Sequence, residues 1–133
     1  MAQKMKEIID AALYGAPEIK PEERSLFLST ILERIHLALT KKQVIQKGMY
    51  PEVLSLMKTK ENAHLYINGD LSYQNYSNYI QEANKQGIRF TIVTPTKPTP
   101  FGLIVANQSQ AIDATNIFIE DELYQLDMEE NEK

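Results

Sequence analysis

Ala63-His64-Leu65-Tyr66-Ile67-Asn68-Gly69-Asp70 is a short apolar run that stops abruptly at a polar turn. The run is bounded too tightly for a helix and predicts a strand that hands over to a loop. Upstream, Ile35, Leu37 and Leu39 alternate with His36, Ala38 and Thr40, which reads as a strand with both faces fairly apolar. Downstream, Phe90 to Thr94 is a β-branched run, and Gly102 to Ala106 is a fourth apolar stretch. Between the first and second runs, Val44, Ile45, Met49, Val53, Leu54 and Met57 form a helical stripe broken near Gly48, with Pro51 suited to the first turn of a second piece. Between the second and third, Tyr73, Tyr76, Ile80 and Ala83 share one helical face over Ser72 to Gln86, and Gly87 stands where a left-handed terminator belongs.

This order, β-α-β-α-β-β, predicts an α/β (α+β) domain on a mixed sheet. Strand–helix–strand units imply right-handed crossovers, hence parallel pairing among the first three strands. No helix intervenes before the fourth, which reads as antiparallel to the third. An added N-terminal helix is expected from Met5, Ile8, Ile9, Ala12 and Leu13, ending near Tyr14-Gly15. Pro17 and Pro21 then mark a loop, the period over Glu22 to Leu32 is ambiguous, and Pro95 to Pro100 is a stiff extended connector. Residues 111–123 are regular but of open type.

With 133 residues, 43% of them hydrophobic and 24% charged, the chain is expected to form one domain over residues 1–125 with a core of ordinary size. No apolar stretch approaches the roughly 20 residues that cross a bilayer, and the start is amphipathic rather than signal-like, so a cytoplasmic protein with no membrane partner is expected. The absence of cysteine excludes thiol catalysis, disulfides and thiolate metal sites, and two histidines exclude a His-rich zinc site. No metal and no cofactor are therefore expected. The net charge of −4 is uneven: from Glu120 onward there are seven acids against Lys133, leaving 13 bases and 11 acids in the body, a net +2. Residues 126–133 read as an acidic, flexible tail that repels itself and stays solvated, or else competes with nucleic acid for the body's basic residues.

In parallel α/β sheets ligands bind beyond the carboxyl ends of the strands, where loops and helix starts converge. Those positions are Thr40-Lys41, Asn68-Gly69-Asp70 and Thr94. Gly69 permits unusual backbone angles, and Asp70 or Ser72 could either cap the next helix or meet a ligand. Glu18, Lys20, Glu33 and Arg34, near structural joints, are surface ion pairs unless a pocket gathers them. Tyr73, Tyr76 and Tyr79 suit a core and its rim better than base stacking. His36 and His64 lie on strands without triad partners, and there is no phosphate-loop, GxGxxG, HExxH or GxSxG motif. No residue qualifies as catalytic on this pattern.

Taken as a set, Tyr14-Gly15-Ala16-Pro17-Glu18-Ile19-Lys20-Pro21, Glu33-Arg34, Leu37-Ala38-Leu39-Thr40-Lys41, Tyr50-Pro51-Glu52, Ala63-His64-Leu65, Asn68-Gly69-Asp70-Leu71, Phe90-Thr91-Ile92-Val93 and Ala111-Ile112-Asp113 resemble the YueI-like family of small bacterial proteins, found mainly in low-GC Gram-positive organisms. The resemblance covers Tyr14 to Asp113 and leaves the acidic end uncovered. It implies a fold similar to monofunctional bacterial chorismate mutases and to the ribosomal proteins that bind kink-turn RNA, and it transfers no functional residues. With Arg24, Arg34 and Arg89 its only arginines, the chain lacks the arginine-rich site of the mutases, and it has no clear version of the ribosomal proteins' RNA-binding loop. Fold alone does not carry activity. The expected function is binding of a small molecule, RNA or a protein at the loops after the strands, with homo-oligomers allowed. The alternative is a small-metabolite enzyme built on Asp70, Glu18 or Glu33 with Arg34, at a subunit boundary.

Overall fold

A computed structural model describes residues 20–112, 114 and 116–131. The expected N-terminal helix and Glu18 lie outside the described residues. The described elements are α1 (Lys20–Leu26), a 3-10 turn (Leu32–Arg34), β1 (Ile35–Thr40), α2 (Lys41–Ile45), α3 (Pro51–Thr59), β2 (Ala63–Asn68), α4 (Tyr73–Gln86), β3 (Arg89–Val93), β4 (Phe101–Asn107) and α5 (Glu122–Asn131). All four expected strands are present, and the broken stripe after β1 is resolved into α2 and α3, with Pro51 opening the second piece.

The strand order is β1-β4-β2-β3, with β4 antiparallel to both β1 and β2, and β2 parallel to β3. Two expectations are corrected by this. β1 and β2 run in the same direction but do not pair, because β4 lies between them, and β4 is not the neighbour of β3. The cause is burial: Phe101 to Ala106 are apolar and buried on both faces, so this strand is most stable at the centre of the sheet. β3 carries polar residues on exposed positions and takes the edge. The proline-rich connector carries the chain from that edge back to the centre. At the other edge, Ala38 N–H donates to Ile117 O at 2.7 Å, and a parallel bridge joins Ala38 to Phe118, so residues 117–119 line β1.

Core side chains divide between the two faces of the sheet. On one, Leu37, Leu39, Leu65, Ile67, Leu103 and Val105 meet Val44, Val53, Met57, Tyr79, Ile80 and Ala83 from the helices. On the other, Ile35, Ala38, Phe101, Ile104 and Ala106 meet Leu26, Phe27 and Leu28, with Phe118 and Met128 packed against them. α4 ends at Gly87 with φ of 72°, a left-handed cap that a Cβ would strain. Its buried tyrosines are Tyr76 and Tyr79, while Tyr73, placed on the inner face by spacing, is 60% exposed because it sits in the first turn beyond the sheet. Residues 126–131, expected as a solvated tail, are the later part of α5. Asp127 is only 4% exposed, and its carboxylate accepts the Lys42 N–H at 2.7 Å. An acidic helix docks here because the start of α2 offers unsatisfied N–H groups and Lys42, whose ammonium reaches Glu130 at 3.2 Å.

Candidate functional site

The residues expected at the carboxyl ends of the strands do converge, and the polar groups of Asn68, Gly69 and Lys41 are engaged within the chain. Asn68 is fully buried, its amide donating to Phe101 O at 3.0 Å while its carbonyl accepts the Asp70 N–H at 2.8 Å. Gly69 N–H donates to Val93 O at 2.8 Å, and a Cβ at this position would stand 3.2 Å from both Ile92 Cγ2 and Val93 O. Close approach of backbones, rather than a ligand, accounts for this glycine. Ser72 is the N-cap residue of α4, yet its side chain makes no capping hydrogen bond, and Asn68 shapes the turn instead. Lys41 N–H donates to Pro100 O at 2.9 Å, and Thr40 is fully buried, its N–H donating to Gln43 Oε1 at 2.8 Å while its hydroxyl has no hydrogen-bond partner among the described residues. Asp70 and Thr94 are exposed beside this group.

A second polar cluster ties the C-terminal segment to α2. Gln43 donates to Ile119 O at 2.7 Å and to Asp121 Oδ1 at 3.0 Å, and the Tyr50 hydroxyl donates to Asp121 Oδ2 at 2.5 Å. The Tyr79 hydroxyl accepts the Tyr50 N–H at 3.1 Å. Burial works to raise the Asp121 pKa, but the hydrogen bonds from Tyr50, from the Tyr124 and Leu123 N–H groups and from Gln43 outweigh it and hold the carboxyl below its ordinary range. Burial, then the bond to Asp121, pushes the Tyr50 phenol well up. Every acceptor position of Asp121 named here serves the fold, which leaves no free base.

The face of β2 and β3 opposite α3 and α4 is different, and Tyr66 on it is partly buried against the cluster of Leu26, Phe27, Ile104 and Ala106. The parallel register pairs His64 with Arg89 and Tyr66 with Thr91, so these four side chains share one face. The His64 and Tyr66 rings stack with centroids 4.6 Å apart, and His64 Nε2 lies 2.7 Å from Thr91 Oγ1. His64, Tyr66 and Arg34 are half-buried, while Arg24, Arg89 and Thr91 are exposed. Burial lowers the His64 pKa and the Arg89 charge adds to the effect. At Tyr66 burial raises the phenol's pKa, opposed by the charges of Arg34 and Arg24, which places both guanidiniums within electrostatic reach of that ring. Arg24 arrives there from α1, where Nη1 donates to Ser29 O at 3.1 Å across a turn with Leu28 and Ser29 at φ of 54° and 78°. Among the described residues none of the chain's three arginines forms an ion pair with a carboxylate.

An open groove of about 780 Å³ lies at the opposite edge of the sheet, where His36, Lys60, Asn62 and Asn107 line it at the start of β1 and β2 and the end of β4. Burial lowers the His36 pKa, with a further contribution from Lys60. No group of three or more potential metal ligands occurs among the described residues, and no described helix is long and apolar enough to cross a membrane.

The family model described as "Protein of unknown function (DUF1694)" matches residues 2–118. The "Uncharacterized protein YueI" of Bacillus subtilis (strain 168) is 42% identical over 122 residues, covering 91% of this chain and 92% of that one. The chain belongs to the YueI-like family. The crystal structure of the YueI protein from Bacillus subtilis superposes with a TM-score of 0.83 at 40% identity, covering 95% of this chain and 98% of that one. The family model stops before α5, whereas the structural match extends over nearly the whole chain.

Of the residues singled out by sequence, Thr40, Lys41, Asn68, Gly69, Asp70 and Thr94 are brought to one edge of the sheet. Arg34 is not among them, since it precedes β1 and belongs to the arginine group. Lys20 opens α1, and its side chain lies outside the described residues. Sequence reasoning passed over Gln43, Tyr50 and Asp121 as a cluster, and it did not group Arg24, Arg34 and Arg89. A period-2 pattern that puts His64 and Tyr66 on one face, with Arg89 and Thr91 on the neighbouring strand, is a signal that could have found the second group.

Proposed function

We propose that the protein is a cytoplasmic, non-catalytic binding domain whose ligand is anionic and seats on the His64–Tyr66 face of β2 and β3, beside the exposed Arg89 and Thr91. One observation carries this reading: Arg89 pairs with His64 in the strand register beside the His64–Tyr66 stack, the charges of Arg24 and Arg34 act on Tyr66, and none of the three arginines is neutralised by a carboxylate among the described residues. Guanidinium groups left without an internal acid are suited to bidentate contact with phosphate or carboxylate. Binding is favoured over catalysis because Asp121, whose carboxyl is held below its ordinary pKa, has its acceptors taken up by Tyr50, Gln43 and the start of α5. Calorimetric titration with tripolyphosphate at low and raised salt provides the test. The wild-type protein is expected to bind more weakly as salt rises, and the Arg34→Ala/Arg89→Ala double variant to lose about tenfold or more in affinity. Equal affinity of variant and wild type, or no binding at low salt, overturns the proposal.

A further inference from the structure

We infer that the anionic ligand is a single-stranded nucleic acid, one base of which stacks on the Tyr66–His64 pair while its phosphates meet Arg24, Arg34 and Arg89. The inference rests on the anion-binding reading and adds to it the aromatic component of the same face. Phosphate alone gives no reason for a stacked ring pair at the centre of an arginine group. A strand of nucleotides requires both, because each unit presents a flat π-surface and a negative charge.

The geometry favours an extended strand over an enclosed small molecule. The platform lies on the sheet, with Arg89 and Thr91 exposed beside it, which suits a ligand that extends along the surface. The arginines come from three elements, α1, the turn before β1, and the start of β3. The Thr91 hydroxyl at 2.7 Å fixes the His64 ring against Tyr66, which limits the rotamer freedom that stacking would otherwise cost. Bases in a duplex are already stacked and cannot be received on a protein ring, so single strands are selected over double strands.

Fluorescence anisotropy with fluorescein-labelled ten-nucleotide oligouridylate and oligoadenylate, run alongside the tripolyphosphate titration, tests the inference. Both oligonucleotides are expected to bind. Tyr66→Leu is expected to weaken them about tenfold while leaving tripolyphosphate affinity unchanged, and Tyr66→Phe, which keeps the ring, to retain wild-type affinity. His64→Ala provides a second, partly exposed position with the same expected pattern should Tyr66→Leu fail to fold by circular dichroism. Unchanged oligonucleotide affinity in a folded Tyr66→Leu and in His64→Ala overturns the stacking inference while leaving the anion-binding reading intact. Equal binding of a ten-base-pair duplex also overturns it, as does displacement of the oligonucleotide by adenosine monophosphate at equal nucleotide concentration, which would assign the site to a free nucleotide. Loss of the salt-sensitive tripolyphosphate response is the separate result that removes the underlying reading.

Discussion

The carboxyl-end edge of the sheet and the outer face of β2–β3 are both rich in polar side chains, and they use them in opposite ways. At the edge, Asn68, Gly69, Lys41 and Thr40 direct their polar groups to Phe101, Asp70, Val93, Pro100 and Gln43, all within the chain. On the face, Arg34 and Arg89 direct theirs to no carboxylate among the described residues. Turn-forming residues at a strand end are enriched for two reasons, capping and ligand binding, and here internal bonding accounts for Asn68 and Gly69, while the buried Thr40 hydroxyl is left without a partner among the described residues. The lesson is that a polar residue marks a site when its bonding capacity is left over, not when its type is suggestive.

The contrast is broken or sharpened most strongly at Asn68. Asn68→Ala would leave Phe101 O and the Asp70 N–H without their partner in a buried setting. It is expected to cost about 3 kcal/mol in urea unfolding with no change in tripolyphosphate affinity per folded molecule. Gly102→Ala comes next: the added Cβ would sit 3.0 Å from Val44 Cγ2 and 3.1 Å from Lys41 Cα, so backbone of α2 must move, for an expected loss of about 2 kcal/mol. On the face the order reverses. The Arg34→Ala/Arg89→Ala variant that loses anion affinity is expected to unfold within about 0.5 kcal/mol of wild type. A large stability loss there, or a large binding loss at Asn68 in folded protein, would erase the distinction between the two regions.

The smallest expected effect is of pH. His36 and His64 both have pKa values lowered below 6.5 in the folded protein by burial, with Lys60 and Arg89 contributing. The unfolded chain therefore takes up protons first. Stability is at its full value above about pH 6.5 and declines as pH falls through that value toward the folded pKa values, with no further loss from these groups below them. Over the same interval protonation of His64 adds positive charge to the face, so tripolyphosphate is expected to bind more tightly while the thermal midpoint falls. Melting and titration at pH 7.5 and 5.5, with His64→Ala as reference, separate the two responses.

Much of the local structure was legible in the residues. The alternation of Ile35, Leu37 and Leu39, the β-branched run before Thr94, Pro51 at a helix start and Gly87 at a helix end each act through the backbone within a few positions. The candidate site was only partly legible. Arg34 was noticed for its position near a joint, but its association with Arg24 and Arg89 depends on which strands lie side by side. Asp121 and Asp127 read as members of a charge run, because nothing local announces that Gln43, Tyr50 and the Lys42 N–H are waiting for them 71 to 85 residues away.

The amino-acid sequence by itself therefore determined the four strands, the helices between the first three and the turns that punctuate them, since hydrophobic period, proline and glycine act over short range. Only the tertiary structure decided that β4 enters between β1 and β2, that the acidic end docks as a helix, and that Arg89 stands beside the His64–Tyr66 pair. Those outcomes follow from burying the most apolar strand at the centre and satisfying distant donors with distant acceptors, and both are properties of the packed chain rather than of any segment of it.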